Sequence, residues 1–307
     1  MNLLPNNQVN LYHYHKEFTE LTKLYQKKIL PNKILLSGSK GIGKSTIAYH
    51  LINYILSIDE EFSYDLDNFR IDPNNKSFKL VLNKTNPNFT LVDIEIEKKN
   101  IEIKQIRELI TNLNKSSFND KPRFVLIDNI EFLNLNSINA LLKTLEEPSE
   151  NIYFILINNN SKNLLPTIKS RCLNFRISLS NKNFIDILNT LLNDDFSNYI
   201  SSDLINYYST PGKIFELIRF SKENKIDLKN FDLKSFILLL IDERYYKKNE
   251  FINKIIYDYI EFFLVKKHNF FNLKFFNIFL KKIYEMKKFN LDEELLLIEF
   301  KSKILNG

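Results

Sequence analysis

The densest chemistry in this 307-residue chain lies at Gly38-Ser39-Lys40-Gly41-Ile42-Gly43-Lys44-Ser45-Thr46. The stretch fills the pattern G-x-x-x-x-G-K-[ST] completely. Glycines at these spacings let the backbone curl so that several N–H groups face one anion, and a helix starting there adds its positive end. Lys44 would then reach the β- and γ-phosphates, and the Ser45 hydroxyl would meet Mg²⁺. The predicted ligand is ATP or ADP with Mg²⁺. Three of the chain's five glycines fall between positions 38 and 43, a clustering that an ordinary strand-to-helix turn does not require.

A second chemical signal is Asp128, which ends the apolar run Arg123-Phe-Val-Leu-Ile-Asp128. A carboxylate at the end of a buried strand suits the Walker B role, steadying Mg²⁺ beside the phosphates. Hydrolytic P-loop motors usually place Glu directly after it to polarise the attacking water. Here the next residue is Asn129, and an amide cannot take the water's proton. Glu131 would share the face of Asn129 if the strand continued, but roughly 7 Å further along.

The elements needed to position these residues are legible as periodicity. Residues 16–29 carry Phe18, Leu21, Leu24 and Tyr25 at helical spacing, and 33–37 form an apolar run leading into the glycine-rich loop. Helical pattern resumes from Ser45 to about Leu56. Residues 57–88 are polar and turn-rich. Thr90–Ile94 is strand-like, Lys104–Leu113 helical, and 123–128 a buried strand. A helix then runs from Ser137 to Glu147, stopped by Pro148, before a strand at Ile152–Ile157. Alternating strands and helices predict a doubly wound parallel α/β domain. Beyond Ile177 the pattern is helical, with a linker expected at 221–231. The predicted division is 1–178 for the nucleotide-binding domain, 179–222 for a small helical lid, and 223–307 for an all-α domain.

Composition narrows the classes further. With 43 basic and 37 acidic residues the net charge is +6, a mixed surface that leans toward an acidic partner such as nucleic acid. The skew toward Asn, Lys, Ile and Phe, with no Trp, reads as an AT-rich genome, so single Lys and Asn residues carry little functional weight. Cys172 is the one cysteine, and with four scattered histidines (His13, His15, His50 and His268) it builds neither a disulfide framework nor a closed zinc site. No signal peptide and no apolar run of membrane-spanning length is seen, so a cytoplasmic location is expected. The Phe- and Tyr-rich stretch 236–297 is read as helical core.

Two further segments, Asn139-Ala-Leu-Leu-Lys-Thr-Leu-Glu-Glu-Pro148 and Thr167-Ile-Lys-Ser-Arg-Cys172, follow Asp128 at a telling spacing. With the loop at 38–45 they resemble the bacterial DNA polymerase III clamp-loader AAA+ subunits over roughly residues 16–220. The resemblance implies an AAA+ P-loop domain, a helical lid and a C-terminal collar used in oligomerisation. It implies that Arg171, within Ser170-Arg171-Cys172, is an arginine finger reaching in trans to a neighbour's ATP. It also implies that Asn159, within Asn158-Asn159-Asn160, is the sensor near the γ-phosphate. The implied partners are the gamma/tau and delta subunits, the sliding clamp and primer-template DNA.

Departures choose within the family. The motor subunits carry Asp-Glu in Walker B, a cysteine-rich zinc module and an arginine in the sensor 2 helix. This chain has Asp128-Asn129, a cysteine-free 57–88, and Ser209-Thr-Pro-Gly212-Lys213, with Lys213 left open as a substitute. Asn86-Pro87-Asn88 and Ile103–Leu109 point the same way, toward the delta-prime branch, a stator whose own hydrolysis is weak or absent. The alternative is a hydrolysing gamma/tau-like subunit. A P-loop kinase or GTPase would need a substrate-side lid or base-recognition motif, and neither is seen.

Overall fold

A computed structural model describes residues 4–95, 98–116, 118–146, 151–266, 273–289 and 292–305. The chain divides into two compact units, Met1–Ile187 and Leu188–Gly307.

In the first unit, among the described residues, five strands form one parallel sheet: β1 (Lys33–Ser37), β2 (Phe89–Val92), β3 (Arg123–Ile127), β4 (Ile152–Asn158) and β5 (Leu173–Arg176), in the order β2-β3-β4-β1-β5. Register is set by Ile34 opposite Ile155 and Leu173, and by Val125 opposite Thr90 and Phe154. Side chains alternate across a strand, and here both faces are apolar. Ile34, Leu36, Phe124, Leu126, Ile155 and Ile157 pack against α1 (His15–Gln26) and α2 (Lys44–Leu56) through Phe18, Leu21, Ile47 and Leu51. Leu35, Val125, Ile127, Phe154 and Leu156 pack against α4 (Ile103–Leu113) and α5 (Leu135–Glu146) through Ile106, Leu109, Leu141 and Leu145. Helices on both faces explain why the strands read as unbroken apolar runs. The doubly wound α/β architecture expected from the periodicity is present.

Three local features depart from the sequence reading. The polar segment 57–88 contains α3 (Lys76–Leu82), started by Asn75, whose side chain accepts from the Phe78 amide at 2.7 Å. β3 ends at Ile127 and does not continue: Asn129 takes a left-handed conformation (φ 58°), and Ile130–Phe132 form a 3₁₀ turn. The geometry that placed Glu131 further along a strand therefore does not apply. Finally, β5 follows the short helix α6 (Pro166–Lys169) where only a domain end was read. The stop expected at Pro148, with Glu147, lies outside the described residues.

The boundary between the two units falls within α7 (Asn181–Leu192). The second unit is helical: α8 (Pro211–Glu223), α9 (Leu233–Asp242), α10 (Tyr245–Lys248), α11 (Glu250–Lys266), α12 (Leu273–Phe289) and α13 (Glu293–Phe300). Among its described aromatic residues, Phe236, Tyr259, Phe263, Phe279 and Phe300 are buried and in ring contact, as expected of a core, whereas Tyr207 and Tyr284 are exposed. Residues 221–231 are not a free linker. α8 runs through Ser221 to Glu223, and Leu228 is buried in a 3₁₀ turn whose carbonyl accepts from the Ser201 amide.

Candidate functional site

The glycine-rich loop occupies the C-terminal end of β1, where open parallel sheets place their ligands. Backbone geometry makes its glycines necessary. Gly41 and Gly43 have φ of 84° and 101°, a region that side chains disfavour. A Cβ on Gly38 would stand 2.3 Å from the Ile177 carbonyl oxygen. Gly43 caps α2, whose first turn, Lys44, Ser45 and Thr46, presents amides without intrahelical partners. Ser39, Lys40 and Ile42 complete the curl, with Ile42 buried and Ser39 and Lys40 exposed. Tyr14, just before α1, braces the loop from outside: its hydroxyl donates to the Ile42 carbonyl at 2.5 Å, and its ring would lie 3.3 Å from a Cβ on Gly43.

Lys44 is 2% exposed, and its ammonium donates to the carbonyls of Gly38 (2.9 Å) and Ser39 (2.7 Å). Burial pulls its pKa down to about 8, against the opposing pull of Asp128 and Glu131. A buried cation with neutral partners beside a row of amides suits an anionic ligand. Ser45 Oγ donates to Asp128 Oδ2 at 2.6 Å, which brings the two expected metal-side residues together. One hydroxyl and one carboxylate fit Mg²⁺, which binds one or two carboxylates with substrate phosphates and retains waters. Among the described residues no cluster of three or more His, Cys, Asp or Glu could hold a metal. Burial pushes the Cys172 thiol up to about 11, so it stays protonated at neutral pH.

Around Asp128 the ends of three strands meet. Asn129 Nδ2 donates to Asp93 Oδ1 at 2.7 Å, and Asn159 Nδ2 donates to Asn129 Oδ1 at 2.9 Å and to Asp128 Oδ1 at 3.4 Å. The expected sensor residue thus lies beside Asp128, the expected Walker B carboxylate. Glu131 is buried and accepts from the amides of Asn159 (3.0 and 3.2 Å) and Ser161 (3.2 Å). Both of its oxygens are engaged in holding that loop, which removes it as a free base. Asp93, which sequence reasoning passed over, has its pKa raised mainly by burial.

Arg171 stands apart from this cluster. Its guanidinium contacts Glu146 Oε1 (Nη2 at 2.5 Å, Nε at 3.2 Å), and Nη1 donates to the Thr167 carbonyl at 2.9 Å. In the second unit Lys213 Nζ pairs with Asp258 Oδ2 at 2.9 Å.

Comparison with known proteins agrees with this frame. Residues 14–181 match the family described as "DNA polymerase III, delta subunit". A DNA polymerase III subunit gamma from Buchnera aphidicola subsp. Schizaphis graminum is 31% identical over 64% of this chain and 54% of its own length. A subunit delta′ from Pseudomonas aeruginosa is 33% identical over 45% of this chain and 40% of its own. The chain therefore spans about half the length, or less, of the curated relatives it matches. A DNA polymerase III gamma subunit-related protein of Thermotoga maritima aligns with a TM-score of 0.45 at 20% identity, covering 92% of this chain and 96% of that one. No helix among the described residues is long and apolar enough to cross a membrane. Because the family match takes in more than half of the chain, including the loop, Asp128 and Arg171, the chain belongs to the DNA polymerase III delta-subunit family, among clamp-loader subunits of the delta-prime and gamma/tau kind.

Proposed function

We propose that the chain is the delta-prime stator of a DNA polymerase III clamp loader, binding nucleotide with Mg²⁺ but turning it over weakly or not at all. One observation carries the reading: no free carboxylate follows Asp128 at the end of β3. Asn129 is engaged by Asp93 and Asn159, and Glu131 by two backbone amides. Lys44 and the loop from Gly38 to Thr46 hold the phosphates, Ser45 and Asp128 face the ion, and Asn159 faces the terminal phosphate. Mg²⁺ would supply charge neutralisation at the β- and γ-oxygens. In the same reading 179–222 serve as a lid and 223–307 as a collar that joins gamma/tau and delta neighbours around primer-template DNA and the sliding clamp.

Arg171 acts on the neighbour's nucleotide. Its present partner does not oppose that role. The Arg171 and Glu146 side chains are 32% and 51% exposed, and such pairs contribute roughly 0–1 kcal/mol. A phosphate, with more charge and matching fork geometry, readily replaces Glu146. Removing a trans arginine costs on the order of 10³-fold at the site it serves. In a reconstituted loader, Arg171→Ala should therefore cut DNA- and clamp-stimulated ATPase partially, since other sites survive, and clamp loading more deeply. Unchanged turnover and loading would remove the finger assignment. Steady hydrolysis by the isolated chain at motor-subunit rates would instead favour the gamma/tau-like alternative.

A further inference from the structure

Asp93 enters the reading above only as a partner of Asn129, yet it begins a chain of side-chain hydrogen bonds that ends at the nucleotide site. An ionised carboxylate only accepts, so the amide of Asn129 must turn its nitrogen toward Asp93. The 2.7 Å Nδ2–Oδ1 bond shows that orientation. The oxygen of the same amide must then face the other way, and it accepts from Asn159 Nδ2 at 2.9 Å. Asn159 is thereby fixed with its NH₂ group toward Asp128, 3.4 Å from Oδ1. Its backbone has no freedom to compensate, because Glu131 grips the Asn159 and Ser161 amides from beneath.

We infer that Asp93 is a positioning residue that sets the preference of this chain for a nucleoside triphosphate over a diphosphate. It acts through Asn129, by holding the Asn159 amide so that the hydrogen now given to Asp128 across 3.4 Å passes to the terminal phosphate when a triphosphate binds. The inference rests on the nucleotide-binding reading and adds a specificity device to it. The loop, Lys44 and Ser45 grip phosphates common to both nucleotides, whereas a donor aimed beyond them registers the third. In a subunit without a free hydrolytic base, such a device reads which nucleotide is bound without consuming it.

The test is equilibrium binding of ADP and of a non-hydrolysable ATP analogue to the full chain, each with Mg²⁺. One hydrogen bond to a charged group corresponds to about tenfold in affinity, so Asp93→Ala should lower the triphosphate-to-diphosphate affinity ratio by about that factor. Asp93→Asn keeps an acceptor in place and should retain most of the ratio. In a cycle with Asn159→Ala, the double variant should be no worse than Asn159→Ala alone, because both act through one amide. An unchanged ratio in Asp93→Ala, an equal loss in Asp93→Asn, or additive losses in the cycle overturns the inference. If Asp93→Ala does not fold, Asn129→Ala interrupts the same chain and must lower the ratio equally; an unchanged ratio there overturns it as well. A wild-type chain that binds neither nucleotide fails the nucleotide-binding reading itself, and the inference falls with it.

Discussion

The two ends of α2 treat buried polar groups in opposite ways. At its start, Lys44 and Ser45 bond to loop carbonyls and to Asp128, contacts that an incoming phosphate and metal ion can replace. Toward its far end, His50 meets the Tyr64 hydroxyl at 2.8 Å, and Asn53 donates to Asn75 Oδ1 at 3.0 Å. Asn75 also donates to the Phe62 carbonyl at 2.7 Å and caps α3. Ser77 Oγ donates to Glu60, which pairs with Lys121. These partners all come from the chain itself and close the 57–77 segment onto the helix. Polar burial serves exchange at one end and fixation at the other. The cysteine-free segment holds its shape through amides, hydroxyls and an ion pair.

The comparison predicts that substitutions at the first end change binding and those at the second change stability. The largest effect is expected from Lys44→Ala, which removes the buried cation facing the phosphates. Charge-assisted hydrogen bonds to phosphate lost together correspond to about 100-fold or more in nucleotide affinity. Equilibrium dialysis with labelled ATP reads this, and a Lys44→Ala chain that binds like wild type breaks the distinction. Thermal stability should not fall with it, since the substitution also removes a buried charge.

Asn75→Ala should do the reverse. It removes a helix cap and leaves Asn53 and the Phe62 carbonyl without their partner, a loss of about 2–3 kcal/mol. Denaturant unfolding would show the loss while nucleotide affinity stays put. Equal damage to both would mean that the two ends of α2 are coupled.

His50 gives a smaller, pH-dependent signature. Burial pulls its pKa down to about 4, whereas in the unfolded chain it titrates near 6.5. Between those values the unfolded chain carries a proton that the folded chain refuses. Stability should therefore fall as pH drops from about 6.5 to about 4, by at most about 1.4 kcal/mol per unit, and level off below. A His50→Gln chain should lose that slope. An identical slope in both chains would place the titration elsewhere.

Much of this was legible in the sequence because it rests on local rules. The loop from Gly38 to Ser45 needs glycines at fixed offsets, and β1, β3 and β4 are apolar on both faces, so pattern alone finds them. β5 escaped because it is a four-residue edge strand with Asn174 and Arg176 in it, held partly by a bond from Ser37 Oγ to Asn174. Neither its composition nor its length speaks for a strand. The turn at Asn129 escaped for a related reason. Asp128-Asn129-Ile130-Glu131 reads equally well as a strand continuing, and only tertiary partners, Asp93 on one side and the Asn159 loop on the other, bend it. Asp93 itself has meaning only once β2 lies beside β3, which no local pattern states.

The place of β1 inside the sheet also orders events in time. Its neighbours are β4 and β5, so Lys33 waits for Phe154 and Ile34 for Leu173. The glycine-rich loop is held at one end by the Asn158 carbonyl, which accepts from Gly38, and fits against Ile177. None of these partners exists while the ribosome has made only the first half of the first unit. At about 5–20 residues per second, the loop is translated several seconds before its sheet partners exist, with only Tyr14 and its own Lys44 at hand to shape it. The earliest functional motif in the chain is thus among the last to acquire its form, and truncations before Ile177 should leave it unable to grip a phosphate.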